Sequence, residues 1–401
     1  MAVLVRMPPL ITIALLISCA AQLAHAHQSS ESASRWQYAD HQLSLRFTVS
    51  EAIATALFPD ASARSLQRTV ADYLADRVGP SGADNCREVW RLETIRSSAG
   101  FMQLEAKWDC PKVPAVLEID AFFELATEHS HFSSFVHGEP FSQKLLTADR
   151  PVWRLHPPQA DTGQKTDRAY HSLFVTGVAH ILGGVDHLVF LLAMLLICRG
   201  TTETFWAVTG FTLGHSISLV LAVLGTLQPN APAIEAAIGL TIVLVTVERA
   251  AGSESRVASA AFAVSISLLL LLIYSLFAGT EWHSLLLAGM AMFALCYLLL
   301  ARDFGQQASF RILATALFGL VHGLGFAGAF LAIDMPANRL ALSLAAFNIG
   351  VEIGQLLLVS LLALVWRAVR VTGRLRSIAS ETLAAGACGM GTFWFVSRLF
   401  G

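Results

Sequence analysis

The chain has 401 residues, 55% of them hydrophobic and only 14% charged, with a mean hydropathy of +0.58. Soluble globular proteins carry about a quarter charged residues, so this composition excludes a chain that is dispersed wholly in water. A formal net charge of −2 leaves no electrostatic footprint for a nucleic acid.

The amino terminus reads as an export signal. Arg6 and the terminal amine give a weakly positive start, LITIALLISCAAQLA gives an apolar stretch, and Ala24-His25-Ala26 offers a cleavage site. Residues 1–26 are thus expected to be a signal peptide, with His27 as the new terminus. Leu16-Ile17-Ser18-Cys19 also has the form of a lipobox, which keeps lipidation at Cys19 open, and an uncleaved anchor helix is a further alternative.

Residues 27–155 carry ordinary polarity. HQLSLRFTV, EVWRLETI, FMQLEAKWDC, AVLEIDAFFEL and SSFVHGEPF have strand character between Gly, Pro, Ser and Asn signals, and one amphipathic helix is expected over 63–77. The pattern predicts a small β-rich extracytoplasmic domain, a sandwich. Cys86 and Cys110 are expected to pair in an oxidising compartment, whereas Cys198, Cys296 and Cys388 lie in apolar segments as small hydrophobes. HSHFSSFVH places His129, His131 and His137 in a strand-like stretch, where they are either surface groups or an external metal-capturing cluster.

Residues 156–170, with Pro-Pro and Gly, read as a linker. From 171 to 401 the chain becomes a transmembrane helical domain, since a span needs about 20 apolar residues. About eight spans are expected, near 171–197, 204–226, 232–250, 257–278, 282–301, 309–332, 339–368 and 378–399. With the β-rich domain outside, the inner ends hold Arg199, Arg249, Arg256, Arg302, Arg311, Arg367, Arg370, Arg374 and Arg376, against Arg339 and Arg398 at outer ends. Basic loops therefore alternate with non-basic ones throughout, as orientation in a plasma membrane requires.

Ionisable groups at lipid depth are costly, face a bundle interior and mark ion or proton paths. The first span contains HILGGVDH, where His180 and His187 share a helix face and Asp186 lies off it. Gly183-Gly184 could bend the helix or admit a neighbour and so bring the carboxylate to the histidines. Imidazole with carboxylate suits Ni, Co, Zn or Fe(II); a structural role for Asp186 is only to orient His187. FTLGHSISL supplies His215 after Gly214, alone as readily an interhelical hydrogen-bond partner as a ligand. FGLVHGLGFAGAF sets His322 among Gly319, Gly323, Gly325 and Gly328, which signals close helix packing, a locally broken helix lining a cavity, or both. FNIGVEIGQ places Asn348, Glu352 and Gln355 along one polar stripe, as a cation pathway needs. Glu235 and Glu248, near helix ends, read as snorkelling groups, and His171 as solvated.

GVAHILGGVDHLVFLLAMLL, FTLGHSISLVLAVLG, FGLVHGLGFAGAF and FNIGVEIGQ resemble the HupE/UreJ family of nickel and cobalt permeases, in its branch with an exported N-terminal domain. The resemblance implies secondary transport of Ni²⁺ or Co²⁺ in a bacterial inner membrane, with His180, Asp186 and His187 handling the metal. His215, His322, Asn348 and Glu352 belong to its other matching segments. It implies no tightly bound cofactor, with the bilayer, the divalent ion and metalloenzyme maturation machinery as partners. The family's bundle has about six helices, so residues 251–305 read as an added hydrophobic hairpin.

Two other functions use the same residues. An intramembrane hydrolase would hold Zn²⁺ on the histidines and activate water with Asp186. A sensor or accessory protein would use the bundle only as an anchor. The absence of a GxxxxGK[ST] sequence argues against ATP-driven transport by this chain alone.

Overall fold

The chain is described by a computed structural model over residues 31–81, 86–98, 101–124, 129–137, 142–155, 162–227, 230–251, 254–277, 281–326, 337–368 and 374–400. The expected signal peptide lies outside the described residues, as does the stretch of the expected linker before residue 162.

The N-terminal region builds two sheets. β1 (Glu31–Ala39), β2 (Gln42–Ser50), β4 (Arg87–Ser98), β5 (Phe101–Asp109), β7 (Ser130–Val136) and β8 (Ser142–Leu146) form one, in the order β4-β5-β2-β1-β7-β8. β3 (Val78–Ser81), β6 (Val116–Ile119) and β9 (Val152–Arg154) form the other, in the order β3-β6-β9. Alternation in β2 and β5 drives one face inward: Leu43, Leu45, Phe47, Met102, Leu104 and Ala106 are buried. α1 (Glu51–Leu57) and α2 (Ala63–Ala75) are capped by the hydroxyls of Ser50 and Ser62, which accept from the amides of Ile53 and Ser65. α2 inserts Leu66, Val70 and Leu74, spaced one turn apart, into the core that both sheets share. Cys86 and Cys110 are joined as a disulfide.

β1 was not expected, and it runs parallel to β7 with Ser32 opposite His131. His129 and His131 are therefore buried. The Ser32 hydroxyl meets His129 Nε2 at 2.8 Å and His131 Nδ1 at 2.7 Å, and Ser34 meets His131 Nε2 at 2.8 Å. Neither is the surface histidine the sequence allowed. Burial lowers His129 from 6.5 to about 4, against a smaller opposing effect of Glu124, and holds His131 well below the ordinary imidazole value.

The helical part comprises α3 (Thr162–Gly183), α4 (Val185–Ile197), α5 (Thr201–Val223), α6 (Ala231–Ala251), α7 (Glu254–Phe277), α8 (Glu281–Phe304), α9 (Ala308–Gly325), α10 (Ala337–Ala368) and α11 (Arg374–Phe400). α3 begins inside the expected linker, because Gln164, Lys165, Arg168 and Ala169 are good helix formers that extend the first span backwards. Among the described residues, stretches of α5, α7, α8, α9 and α10 are each long and apolar enough to cross a membrane. α3 and α4 meet the same test together as one span, bent by 71°. α6 and α11 have the length (21 and 27 residues) but carry Glu235, Glu248 and Arg249, and Glu381 and Arg398.

The helices pair as α3 with α10, α5 with α9, α6 with α11 and α7 with α8. Glycine makes the first three possible. A methyl at Gly177 would fall on the Phe347 carbonyl, one at Gly350 on Phe174, one at Gly214 on Ala316 and one at Gly319 on Phe211. α6 and α11 meet at Gly239 and Gly391. Glu235 and Glu248 do not project freely, as the sequence had allowed: they pair with Arg398 and with the Tyr297 hydroxyl. Arg311 at the start of α9 pairs with Glu203 at the start of α5. The α7–α8 hairpin sits at the rim, with Phe262, Leu270, Phe277, Leu285 and Met292 exposed as for a lipid contact.

Candidate metal centre

The first span breaks at Gly184, whose φ −81° and ψ 104° are extended while the residues on either side are helical. The hydrogen bonds Gly184 N to His180 O and Leu188 N to Gly184 O, both 3.0 Å, close the turns before and after it. The break brings His180, Asp186 and His187 to one place, and the absent side chain leaves them room. A methyl on Gly184 would lie 2.6 Å from His187 Nδ1, 3.1 Å from Asp186 Oδ1 and 3.1 Å from the His180 carbonyl. Gly183 has open space instead. The negative end of the α3 dipole lies beside a first turn of α4 that carries Asp186.

The α5–α9 glycine seam supplies the other two imidazoles. The rings of His180 and His187 are 4.8 Å apart, those of His180 and His215 6.3 Å, and those of His187 and His322 5.5 Å. One ring nitrogen from each of His180, His187 and His215 lies within 4.8 Å of the others. Sequence had left His215 and His322 as single histidines on separate helices; packing joins them to the first-span group.

Three of the rings are held by their Nδ1 atoms, each through a different partner. His187 Nδ1 lies 3.0 Å from Asp186 Oδ1, which also accepts from the His187 amide at 2.9 Å. His322 Nδ1 lies 2.9 Å from the Phe318 carbonyl. His215 Nδ1 lies 3.3 Å from Asn348 Oδ1, and the Asn348 amide is itself oriented by donating to the Leu344 carbonyl at 2.8 Å. Since carboxylate and carbonyl oxygens only accept, these contacts put the proton on Nδ1 and leave Nε2 as a lone pair. The Nε2 atoms of His180, His187, His215 and His322 are buried without a hydrogen-bond partner among the described residues. Buried polar atoms are ordinarily satisfied, so four such orphans of one chemistry on neighbouring rings are the mark of a place for a ligand. Imidazole nitrogens oriented through their second nitrogen are how proteins hold borderline transition metals.

The polar stripe of α10 faces α5. Thr209 donates to Glu352 Oε1 at 2.6 Å and Thr212 to Gln355 Oε1 at 3.0 Å, while Glu352 Oε2 and Gln355 Nε2 stay unpaired and buried among the described residues. Asn348 thus belongs to the histidine cluster as an orienting group, and Glu352 to an adjoining polar station.

The sequence model described as HupE / UreJ protein matches residues 158–271 and 257–398, more than half of the chain. The chain belongs to the HupE/UreJ family. This is a family associated with metal transport, and its match covers all four histidine-bearing or polar segments. A search of curated proteins finds no match to this HupE/UreJ chain.

Two aromatic residues of the site were not foreseen. Phe326, at the end of α9, stacks on Phe347 at 4.7 Å with the rings 3° from parallel, and lies 4.2 Å from the His180 ring. On its other side Phe132 of β7 approaches at 6.3 Å, so the β-rich region touches the layer that covers the histidines. Nothing in an apolar helix distinguishes such a phenylalanine from a lipid-facing one. At the opposite end of the bundle a cavity of about 1140 Å³ is lined by Leu192, Cys198, Thr204, Leu356, Val359 and Ser380, among others. Its lining on α10 begins with Leu356, directly after Gln355 and one turn beyond Glu352.

Proposed function

We propose that this HupE/UreJ protein is a permease that moves a divalent transition-metal cation, Ni²⁺ or Co²⁺, across the bacterial inner membrane. The observation that carries the reading is the group His180, His187 and His215, whose ring nitrogens lie within 4.8 Å of one another inside an apolar bundle, with the His322 ring 5.5 Å from that of His187 and the Nε2 atoms of all four unpartnered among the described residues. His180, His187, His215 and His322 act as ligands, Asp186 and Asn348 fix the rings, and Asp186 offsets part of the ion's charge. Glu352 receives the ion, or its counter-proton, on the way to the cavity. The β-rich domain faces the exterior behind a cleaved signal peptide, in keeping with the alternation of arginines between helix ends. An inward potential of about 100 mV acting on two charges supplies roughly 4–5 kcal/mol.

The engagement of Asp186 favours transport over hydrolysis. Its Oδ1 is occupied by two donors of His187, the arrangement of an orienting carboxylate rather than of a base aimed at water. The test is uptake of radiolabelled Ni²⁺ and Co²⁺ by cells expressing wild type or His187→Ala at matched levels. Uptake above background only in the wild type is expected; equal uptake in both overturns the permease reading.

A further inference from the structure

Two stretches of the bundle repeat each other. Gly177-Val-Ala-His180-Ile-Leu-Gly183 of α3 matches Gly319-Leu-Val-His322-Gly-Leu-Gly325 of α9 at both outer glycines, the histidine and the leucine. Phe211-Thr-Leu-Gly214-His-Ser-Ile-Ser218 of α5 matches Phe347-Asn-Ile-Gly350-Val-Glu-Ile-Gly354 of α10 at the phenylalanine, the first glycine and the isoleucine. The packing repeats with the sequence. A methyl on Gly177 would meet Phe347 O and Val351 N; one on its counterpart Gly319 would meet Phe211 O and His215 N, the counterparts of those atoms. A methyl on Gly350 would meet Phe174 O, and one on its counterpart Gly214 would meet Ala316 O, three residues before Gly319 as Phe174 is before Gly177. Contacts that survive exchange of the two copies are those of a two-fold axis. The remaining pair, α6 with α11, meets at Gly239 and Gly391, as counterpart positions packed across such an axis would.

α3–α4 and α9 occupy odd and even places among the spans, so the copies enter the membrane in opposite directions. We infer that α3–α6 and α9–α11 are an inverted repeat, that the histidine cluster lies on its pseudo-two-fold axis, and that the cation reaches it from either side as the halves exchange conformations. This rests on the permease reading above and gives it a mechanism. The α7–α8 hairpin is then the connection between copies, which explains how an even number of spans is added without disturbing the site.

The present arrangement is asymmetric. A cavity is formed at one end, against Leu356 and Val359 of α10, while the other end is covered by Phe326 stacked on Phe347. The exchange carries Leu356 and Val359 onto Val220 and Val223 of α5, both packed against the core here. The second conformation therefore opens a vestibule at Val220 and Val223 on the β-domain side and closes the one at Val359.

The test uses the full chain in membranes, with Cys198, Cys296 and Cys388 replaced by alanine. Val223→Cys is expected to react with a membrane-impermeant maleimide from the β-domain side, and Val359→Cys from the opposite side. In the double variant, prior attachment of a bulky maleimide at position 359 should wedge that cavity open and lower labelling at 223 by about fivefold or more. Val220→Cys repeats the measurement at a second position. Inert residues 220 and 223, or labelling there that ignores the wedge, overturns the exchange. The readout needs no metal, so lost uptake with the labelling pattern intact counts against the permease reading and not against the repeat.

Discussion

Adjacent glycines at the break give a sharp contrast. Alanine at 184 adds one methyl whose position is 2.6 Å from His187 Nδ1, about 1 Å inside ordinary van der Waals contact. The backbone itself is no obstacle, since φ −81° and ψ 104° suit any residue. The strain must be relieved by moving the ring or the Asp186 carboxylate, and either movement breaks their 3.0 Å contact. Loss of a partner that orients a metal-binding imidazole costs about 10–100-fold in affinity. Alanine at 183 meets nothing within 4 Å and replaces glycine near the end of a helix, which stabilises by up to about 1 kcal/mol. Titration calorimetry of the purified protein with Co²⁺ should therefore show at least about tenfold weaker binding for Gly184→Ala and binding within about twofold of wild type for Gly183→Ala. Both should melt near the wild-type temperature. Equal binding by the two variants, or a larger loss for Gly183→Ala, refutes the assignment of the break to the site.

Other predictions follow from the same geometry. Gly319→Ala, whose methyl would fall on the Phe211 carbonyl, should reduce the yield of monodisperse protein in size-exclusion chromatography, whereas Gly289→Ala, with open space around it, should not. Phe326→Ala removes a stacked contact with Phe347 and one with His180; at about 1 kcal/mol each this should speed Co²⁺ exchange in stopped flow by about tenfold or more. The β-rich domain should weaken in acid. The unfolded chain protonates His129 near 6.5 and the folded one only near about 4, so the unfolded state binds more protons between those values and stability falls as pH drops through that window. For His129 alone the loss is about 3 kcal/mol at the acid end, with His131 adding in the same direction. Tryptophan fluorescence, with Trp36 and Trp108 packed against each other in the core at 5.7 Å, should report a lower urea midpoint at about pH 5 than at about pH 7.

Spans were legible because bilayer thickness fixes their length: of the eight expected, six are long and apolar enough among the described residues, the bent α3–α4 pair counted as one. β1 was not, because its buried positions include Ser32 and Ser34, which break the apolar alternation and are used for His129 and His131 instead. α1, a single capped stretch of seven residues, is too short to show a period. At the site, Asp186, His180 and His187 declared themselves as ionisable groups close together at lipid depth. That His215 and His322 join them depends on which helices approach, and this is written in glycines whose partners, carbonyls of another helix, leave no trace in the local sequence. Phe326 was illegible for a different reason: its role depends only on what it stacks against.

The four imidazoles offer a last discrimination between a binding site and a packed core. An unsatisfied buried polar atom costs about 1–3 kcal/mol, so the metal-free centre carries four such penalties at once. A bound cation removes them, and a shape-similar apolar residue removes one. His322→Leu should therefore leave the metal-free protein as stable as wild type or more so, because Nε2 had no partner to lose and the Phe318 carbonyl keeps its place in the helix. The same substitution takes a ligand from the cation and should lower Co²⁺ affinity by at least about tenfold, with the metal-induced rise in melting temperature shrinking in step. A histidine that merely packs gives the other pattern: its loss destabilises the metal-free bundle and leaves the metal response alone. Stability and binding that move in opposite directions on one substitution are what a centre built to be occupied requires.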